Sequence, residues 1–270
     1  MVEQNTGSAF VERKIDADGF AIRYLEAGRK SDGTVPVICI HGAGGLRLSP
    51  MHEMLAKTHR VIAFETPGFG ASATNERSRD MADLATTLCA AIAALGISDY
   101  NLMGTSFGGK LATHMALQDR DKVQSLVLLS PAVFRPSERP PMATPEERRT
   151  VMHAHPERFP LVPADPEVHL KQETLVRRLI GPPRDAELEQ KLPGLSVPTL
   201  AVFGSEDRLT PPEMARFYRQ HYGNAHIMLV YDAAHLVDLD RPEAVTEVVG
   251  DFLARKERFL VSEQSGVIHP

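Results

Sequence analysis

Apolar and polar side chains alternate along residues 10–15 and again along 20–25, with Asp16-Ala17-Asp18-Gly19 between them. Period-two runs separated by a short polar, glycine-containing stretch predict a hairpin with one face turned to a core. The pattern then changes. Residues 35–40 form a continuous apolar run, as does a buried parallel strand covered on both faces. Residues 60–64, 100–103, 123–129, 199–203 and 226–230 read as further strands. Helical spacing separates these runs. Residues 80–95 place Met81, Leu84, Leu88, Ala91, Ile92 and Leu95 on one face and stop at Gly96. Residues 50–57, 110–117 and 242–254 predict three more helices. Strands alternating with helices imply right-handed crossovers and a mostly parallel sheet, an α/β fold.

The rhythm breaks after Ser130. Residues 131–198 hold 13 of the chain's 20 prolines together with many arginines. Thr144-Pro145-Glu146-Glu147 reads as a capping box with proline at the first helical position. Asp165-Pro166-Glu167 opens another helix that runs to Ile180 and ends at Gly181. Capped helices between two core strands predict a helical cap (131–194) inserted into a core made of 1–130 and 195–270. Residues 256–270 show no periodicity.

Composition narrows the function classes. A formal charge of −5 gives no electrostatic case for binding nucleic acid or an anionic membrane. No apolar run is long enough to span a bilayer. The stretch Met1-Val2-Glu3-Gln4-Asn5-Thr6 lacks the basic-then-apolar layout of a secretory signal, so a cytoplasmic protein is expected. Cys39 and Cys89 sit in apolar segments and read as buried thiols.

The chemistry centres on Gly104-Thr105-Ser106-Phe107-Gly108-Gly109, directly after an apolar run and before a helix. A strand that ends in G-x-S-x-G and turns straight into a helix is the form of a nucleophile elbow. The glycines let strand and helix pass closely while the serine holds a strained conformation. A serine hydroxyl needs a base, and the base needs an orienting acid. In the order Ser, acid, His, Asp207 follows the strand at 199–203, with Glu206 as the alternative acid, and His235 follows the strand at 226–230. The backbone N–H groups of Phe107 and of Ala43, in His41-Gly42-Ala43-Gly44-Gly45, would hold an oxyanion. His41 is expected to shape its loop and His114 to be a packed or surface residue. His153 and His155 are expected on a solvated cap helix, without the third ligand a metal would need. Asp232 and Asp238 are expected to fix the loop around His235.

His41-Gly42-Ala43-Gly44, Glu65-Thr66-Pro67-Gly68-Phe69-Gly70-Ala71-Ser72, the elbow, Gly204-Ser205-Glu206-Asp207 and His235 together resemble the α/β-hydrolase family over nearly the whole chain. The resemblance implies an eight-stranded sheet, a cap after the sixth strand and hydrolysis through an acyl-enzyme, with no metal or organic cofactor. The family usually has aspartate where Glu65 stands. Two serine-nucleophile subgroups look similar. Esterases and lactonases would act on a small-molecule ester, lactone or related carbonyl substrate. C–C bond hydrolases of ring-cleavage products usually carry tryptophan where Leu236 follows His235, and a cap arginine for a substrate carboxylate. Arg135, Arg139, Arg148, Arg149, Arg177 and Arg178 are the candidates, most of them expected to be solvated. A non-turnover ligand-binding member and cofactor-free oxygen chemistry are the other classes this fold allows. The oligomeric state stays open, with a homodimer one option.

Overall fold

The computed structural model describes residues 10–28, 35–161 and 165–260. The amino-terminal stretch read for a signal, and the last ten residues of the tail, lie outside them. Among the described residues eight strands form one sheet: β1 (Val11–Ala17), β2 (Phe20–Ala27), β3 (Val37–Ile40), β4 (Val61–Phe64), β5 (Tyr100–Thr105), β6 (Val123–Leu129), β7 (Thr199–Gly204) and β8 (Ala225–Val230). Their order is β1-β2-β4-β3-β5-β6-β7-β8. The expected hairpin is β1 with β2, paired antiparallel from Val11 opposite Glu26 to Ala17 opposite Phe20. β2 also runs antiparallel to β4, and every pairing from β4 through β8 is parallel. The sheet is the eight-stranded, mostly parallel one that the sequence implied.

Strand periodicity explains the two cores. In β3 and β4, Ile38, Ile40, Ile62 and Phe64 turn to one face, where they join Leu84, Leu88 and Ile92 of α2 (Met81–Ala94) and Leu111 and Met115 of α3 (Phe107–Gln118). Their neighbours Val37, Cys39, Val61 and Ala63 turn to the other face, against Met51 and Leu55 of α1 (Pro50–Leu55). Val245, Val249 and Phe252, from a helix at Pro242–Arg255 at the far end of the chain, complete that second core. Both faces are dry, which is why these strands read as unbroken apolar runs. Cys39 and Cys89 are buried free thiols, and burial pushes the Cys89 thiol up to about 12. Glu65 keeps its place through Arg23 (2.8 Å) and Ser72 (2.9 Å), and glycine at position 70 leaves room for the longer carboxylate.

Between β6 and β7 lie α4 (Pro145–Met152), α5 (Pro166–Leu179) and α6 (Ala186–Lys191). The Thr144–Glu147 capping box is formed, and Asp165 caps α5 through the amides of Glu167 and Val168. Sequence periodicity missed α6, whose six residues carry one buried apolar side chain, Leu188. It missed α7 (Ala215–His221) as well, a short helix after a 3-10 turn. α8 (Val237–Asp240) and α9 (Pro242–Arg255) close the chain's core, and the expected tail begins with a 3-10 turn at Lys256–Leu260. Among the described residues no helix is long and apolar enough to cross a membrane.

Candidate active site

The loops that follow β3, β5, β7 and β8 all leave the carboxyl ends of parallel strands, where open α/β sheets hold their ligands. Ser106 sits between β5 and α3 with φ 53° and ψ −115°, a strained backbone for a residue with a Cβ. Tight packing imposes it. A Cβ on Gly104 would come within 2.3 Å of the Gly108 carbonyl oxygen, and one on Gly108 within 2.4 Å of the Ile40 and His41 oxygens. The Ser106 amide donates to Leu129 O at 2.9 Å, tying the turn to β6. Strand and helix are thus locked around an outward-facing hydroxyl.

His235 Nε2 lies 2.9 Å from Ser106 Oγ, and its Nδ1 lies 2.9 Å from Asp207 Oδ2. The three side chains chosen from the sequence therefore meet. Asp207 is held from its own loop: Leu209 N and Thr210 N donate to Oδ1 at 2.8 and 2.9 Å, and Thr210 Oγ1 donates to Oδ2 at 2.7 Å. Burial works to raise the Asp207 carboxyl, but His235 and the Thr210 donors outweigh it and hold the group below the usual carboxylate range. An ionised carboxylate fixes the imidazole tautomer with hydrogen on Nδ1, leaving Nε2 to accept from the serine. Glu206, the alternative acid, is exposed, and the hydrogen bonds of His235 go to Asp207 and Ser106 instead. Thr210 was not singled out in the sequence, although an Asp followed three residues later by Thr is the pattern of such side-chain-to-backbone turns.

The other histidines sort differently. His41 Nε2 accepts from the Thr66 amide at 3.0 Å, so it does brace its loop, and burial lowers its pKa to about 4. His114 in α3 is part-buried with an unpartnered Nε2; burial and Lys110 lower its pKa to about 4. The expectation that His153 is solvated is wrong. It is buried, stacks on Phe159 at 3.7 Å and bonds Asp240 Oδ1 at 2.8 Å. His155, part-buried, meets Asp232 Oδ1 at 2.6 Å. Asp240, which no sequence signal marked, also accepts from Ala154 N (2.9 Å) and Ala234 N (2.8 Å). These contacts clasp the segment after α4 to the loop that carries His235. Asp232 does fix that loop, whereas Asp238 makes no side-chain bond among the described residues.

A fold that keeps His41 and His114 neutral weakens in acid. Both have folded pKa values below the ordinary 6.5, so the unfolded chain takes up protons first as pH falls below that value. Each costs about 2 kcal/mol by pH 5. Calorimetric Tm is expected to fall between pH 7 and pH 5, and His114→Leu to remove roughly 5 °C of that fall. A slope unchanged by the substitution would refute the assignment.

Ser106 and His235 open into a cavity of about 410 Å³. Ala43 and Phe107 line it, and Phe107, the first residue of α3, has no intrahelical acceptor for its amide. Met103, Met142, Met152, Val176, Ile180 and Leu236 supply apolar wall. Arg135, Arg139, Arg148 and Arg149 line it too, against the expectation of solvated arginines for at least two of them. Arg135 is buried, bonds Gly181 O at 2.6 Å and keeps an unpartnered Nε; Arg149 bonds Phe159 O at 3.1 Å and also has a buried unpartnered Nε. Arg177 and Arg178 are occupied elsewhere, by Glu173 and the Asn75 carbonyl.

Residues 35–175 match the family model described as the alpha/beta hydrolase fold. This chain belongs to the α/β-hydrolase family. Among relatives of this α/β hydrolase, a pimeloyl-[acyl-carrier protein] methyl ester esterase of Neisseria meningitidis is 28% identical, covering 86% of this chain and 97% of the relative. A 2-hydroxy-6-oxo-6-(2'-aminophenyl)hexa-2,4-dienoic acid hydrolase of Metapseudomonas resinovorans is 25% identical over 94% and 95% of the two chains. The solved structure of a 2-hydroxy-6-oxo-6-phenylhexa-2,4-dienoate hydrolase from Rhodococcus sp. strain RHA1 shares the fold at a TM-score of 0.75, with 20% identity over 91% and 99%.

Proposed function

We propose that this chain is a serine hydrolase that cleaves a carboxylic ester or lactone through an acyl-enzyme. The observation that carries this is the continuous relay from Ser106 through His235 to Asp207, at 2.9 Å for each step. His235 Nε2 takes the hydroxyl proton as Ser106 Oγ attacks the carbonyl carbon. The tetrahedral oxyanion lies between the amides of Phe107 and Ala43. His235 then returns the proton to the leaving alcohol, and a water activated by the same nitrogen hydrolyses the acyl-serine. Residues 131–194 act as the cap that closes the cavity and shapes the acyl pocket. The esterase among the relatives is in keeping with this chemistry.

Labelling by a fluorophosphonate tests the reading directly. One adduct on Ser106, found by peptide mass spectrometry and lost in His235→Ala, is expected. A folded protein that stays unlabelled points instead to a ligand-binding member of the family.

A second reading, C–C bond hydrolysis, is favoured by one observation: Arg135 and Arg149 line the cavity without a carboxylate partner among the described residues. Such a site suits a substrate that carries its own carboxylate. Comparing turnover of a dienoic ring-cleavage acid with that of simple methyl esters separates the two.

A further inference from the structure

Seven buried side-chain polar atoms lack a hydrogen-bond partner among the described residues. Four belong to neutral groups on Thr66, His114, Ser130 and His226, and none of those residues lines the cavity above Ser106. The three charged groups, Arg135, Arg149 and Asp238, all line it. The arginines belong to the second reading above. Asp238 does not: it stands in α8 on the core side, 6% exposed, its Oδ1 fully enclosed and unbonded. A buried carboxylate without a donor is costly to the fold and requires a partner from somewhere.

Its surroundings indicate what that partner is. His52, Ser49 and Cys39 line the cavity as well, and α1, which carries His52, packs against α8. The Ser49 amide donates to His52 Nδ1 at 3.1 Å, which fixes the imidazole hydrogen on Nε2. Nε2 has no acceptor among the described residues. Burial favours the neutral ring and outweighs the opposing pull of Asp238. The wall therefore presents one acceptor, the Asp238 carboxylate through Oδ2, which is not enclosed, and one donor, His52 Nε2–H, on two helices that pack together. A hydroxyl satisfies both at once, because it donates and accepts. An ammonium has no lone pair for His52, and a second carboxylate is repelled by Asp238.

We propose that Asp238 and His52 form a subsite that binds a hydroxyl group of the substrate, so that the molecule hydrolysed is a hydroxy-substituted carboxylic ester or lactone. This rests on the hydrolase reading and deepens it. The test compares kcat/KM for methyl hexanoate with the five methyl monohydroxyhexanoates and methyl 6-aminohexanoate, on wild type, Asp238→Asn and Asp238→Leu. At one hydroxyl position the wild type is expected to gain at least tenfold over methyl hexanoate, the range that one well-made polar contact supports. Asp238→Leu is expected to reduce that ratio to within threefold of unity. Losing the unpaired charge is expected to raise the Tm of Asp238→Asn by about 3 °C. No preference at any position, a preference that survives Asp238→Leu, or a larger gain for the amino ester overturns the proposal. Binding of the same esters to Ser106→Ala by titration calorimetry keeps the two readings apart. A hydroxyl-dependent affinity that Asp238→Leu abolishes upholds the subsite even if no ester is turned over, and equal affinities overturn it.

Discussion

Ser106→Ala is expected to reduce kcat/KM for any ester substrate by about 10⁴-fold or more while leaving Tm within about 2 °C of wild type. The size of the loss follows from the relay. With Oγ gone, His235 Nε2 has no nucleophile at 2.9 Å to deprotonate, and Asp207 orients a base without a task. Under the proposed mechanism, what remains is the pull of the Phe107 and Ala43 amides on the carbonyl together with substrate positioning. Stability is spared because alanine at 106 carries the same Cβ and adopts the same backbone, still held by the bond from its amide to Leu129 O. Steady-state kinetics with circular dichroism of the variant check both halves. Activity above a tenth of wild type in a folded variant removes Ser106 from the nucleophile's role.

The second large effect concerns the fold itself. Gly108→Ala is expected to prevent accumulation of folded protein at 37 °C, although it adds one methyl group. That carbon would lie 2.4 Å from two backbone oxygens, Ile40 and His41, which belong to the strand and loop beneath α3. Backbone on both sides cannot rotate away as a side chain can, so relief requires α3 to lift off β3 and break the turn around Ser106. Overpacking of this kind costs about 3 kcal/mol or more, a large part of a typical domain's stability. Gly250→Ala is the control. In α9 nothing lies within 4 Å of the added carbon, and alanine there is expected to raise Tm by about 2 °C through its higher helix propensity. Thermal melts of the two variants check the pair. Similar Tm values for both would show that the elbow tolerates slack.

Several features were readable because their causes are local. The glycine spacing around Ser106 encodes a close strand–helix passage. Apolar runs encode strands buried on both faces, and Thr144 with Glu147 encodes a helix start. Helices as short as α6 and α7 carry too few turns for a period to show. The acid illustrates the boundary well. Glu206 and Asp207 are adjacent carboxylates. Only the folded loop, with Leu209 and Thr210 donating to one of them, turns Asp207 inward and leaves Glu206 in solvent.

By itself the amino-acid order determined an α/β sheet with an insertion after its sixth strand, and which side chains stand at the strand ends, because strand and turn preferences act between near neighbours. Tertiary structure alone decided that Ser106 and His235, 129 positions apart, come within bonding distance, and that Arg135, Arg149 and Asp238 face one cavity. It also decided that His153 is buried against Asp240, 87 positions away, rather than solvated. Contacts at such separations depend on how crossovers stack helices and loops over the sheet, and burial of a charged side chain is a property of that stack and not of its neighbours in the chain.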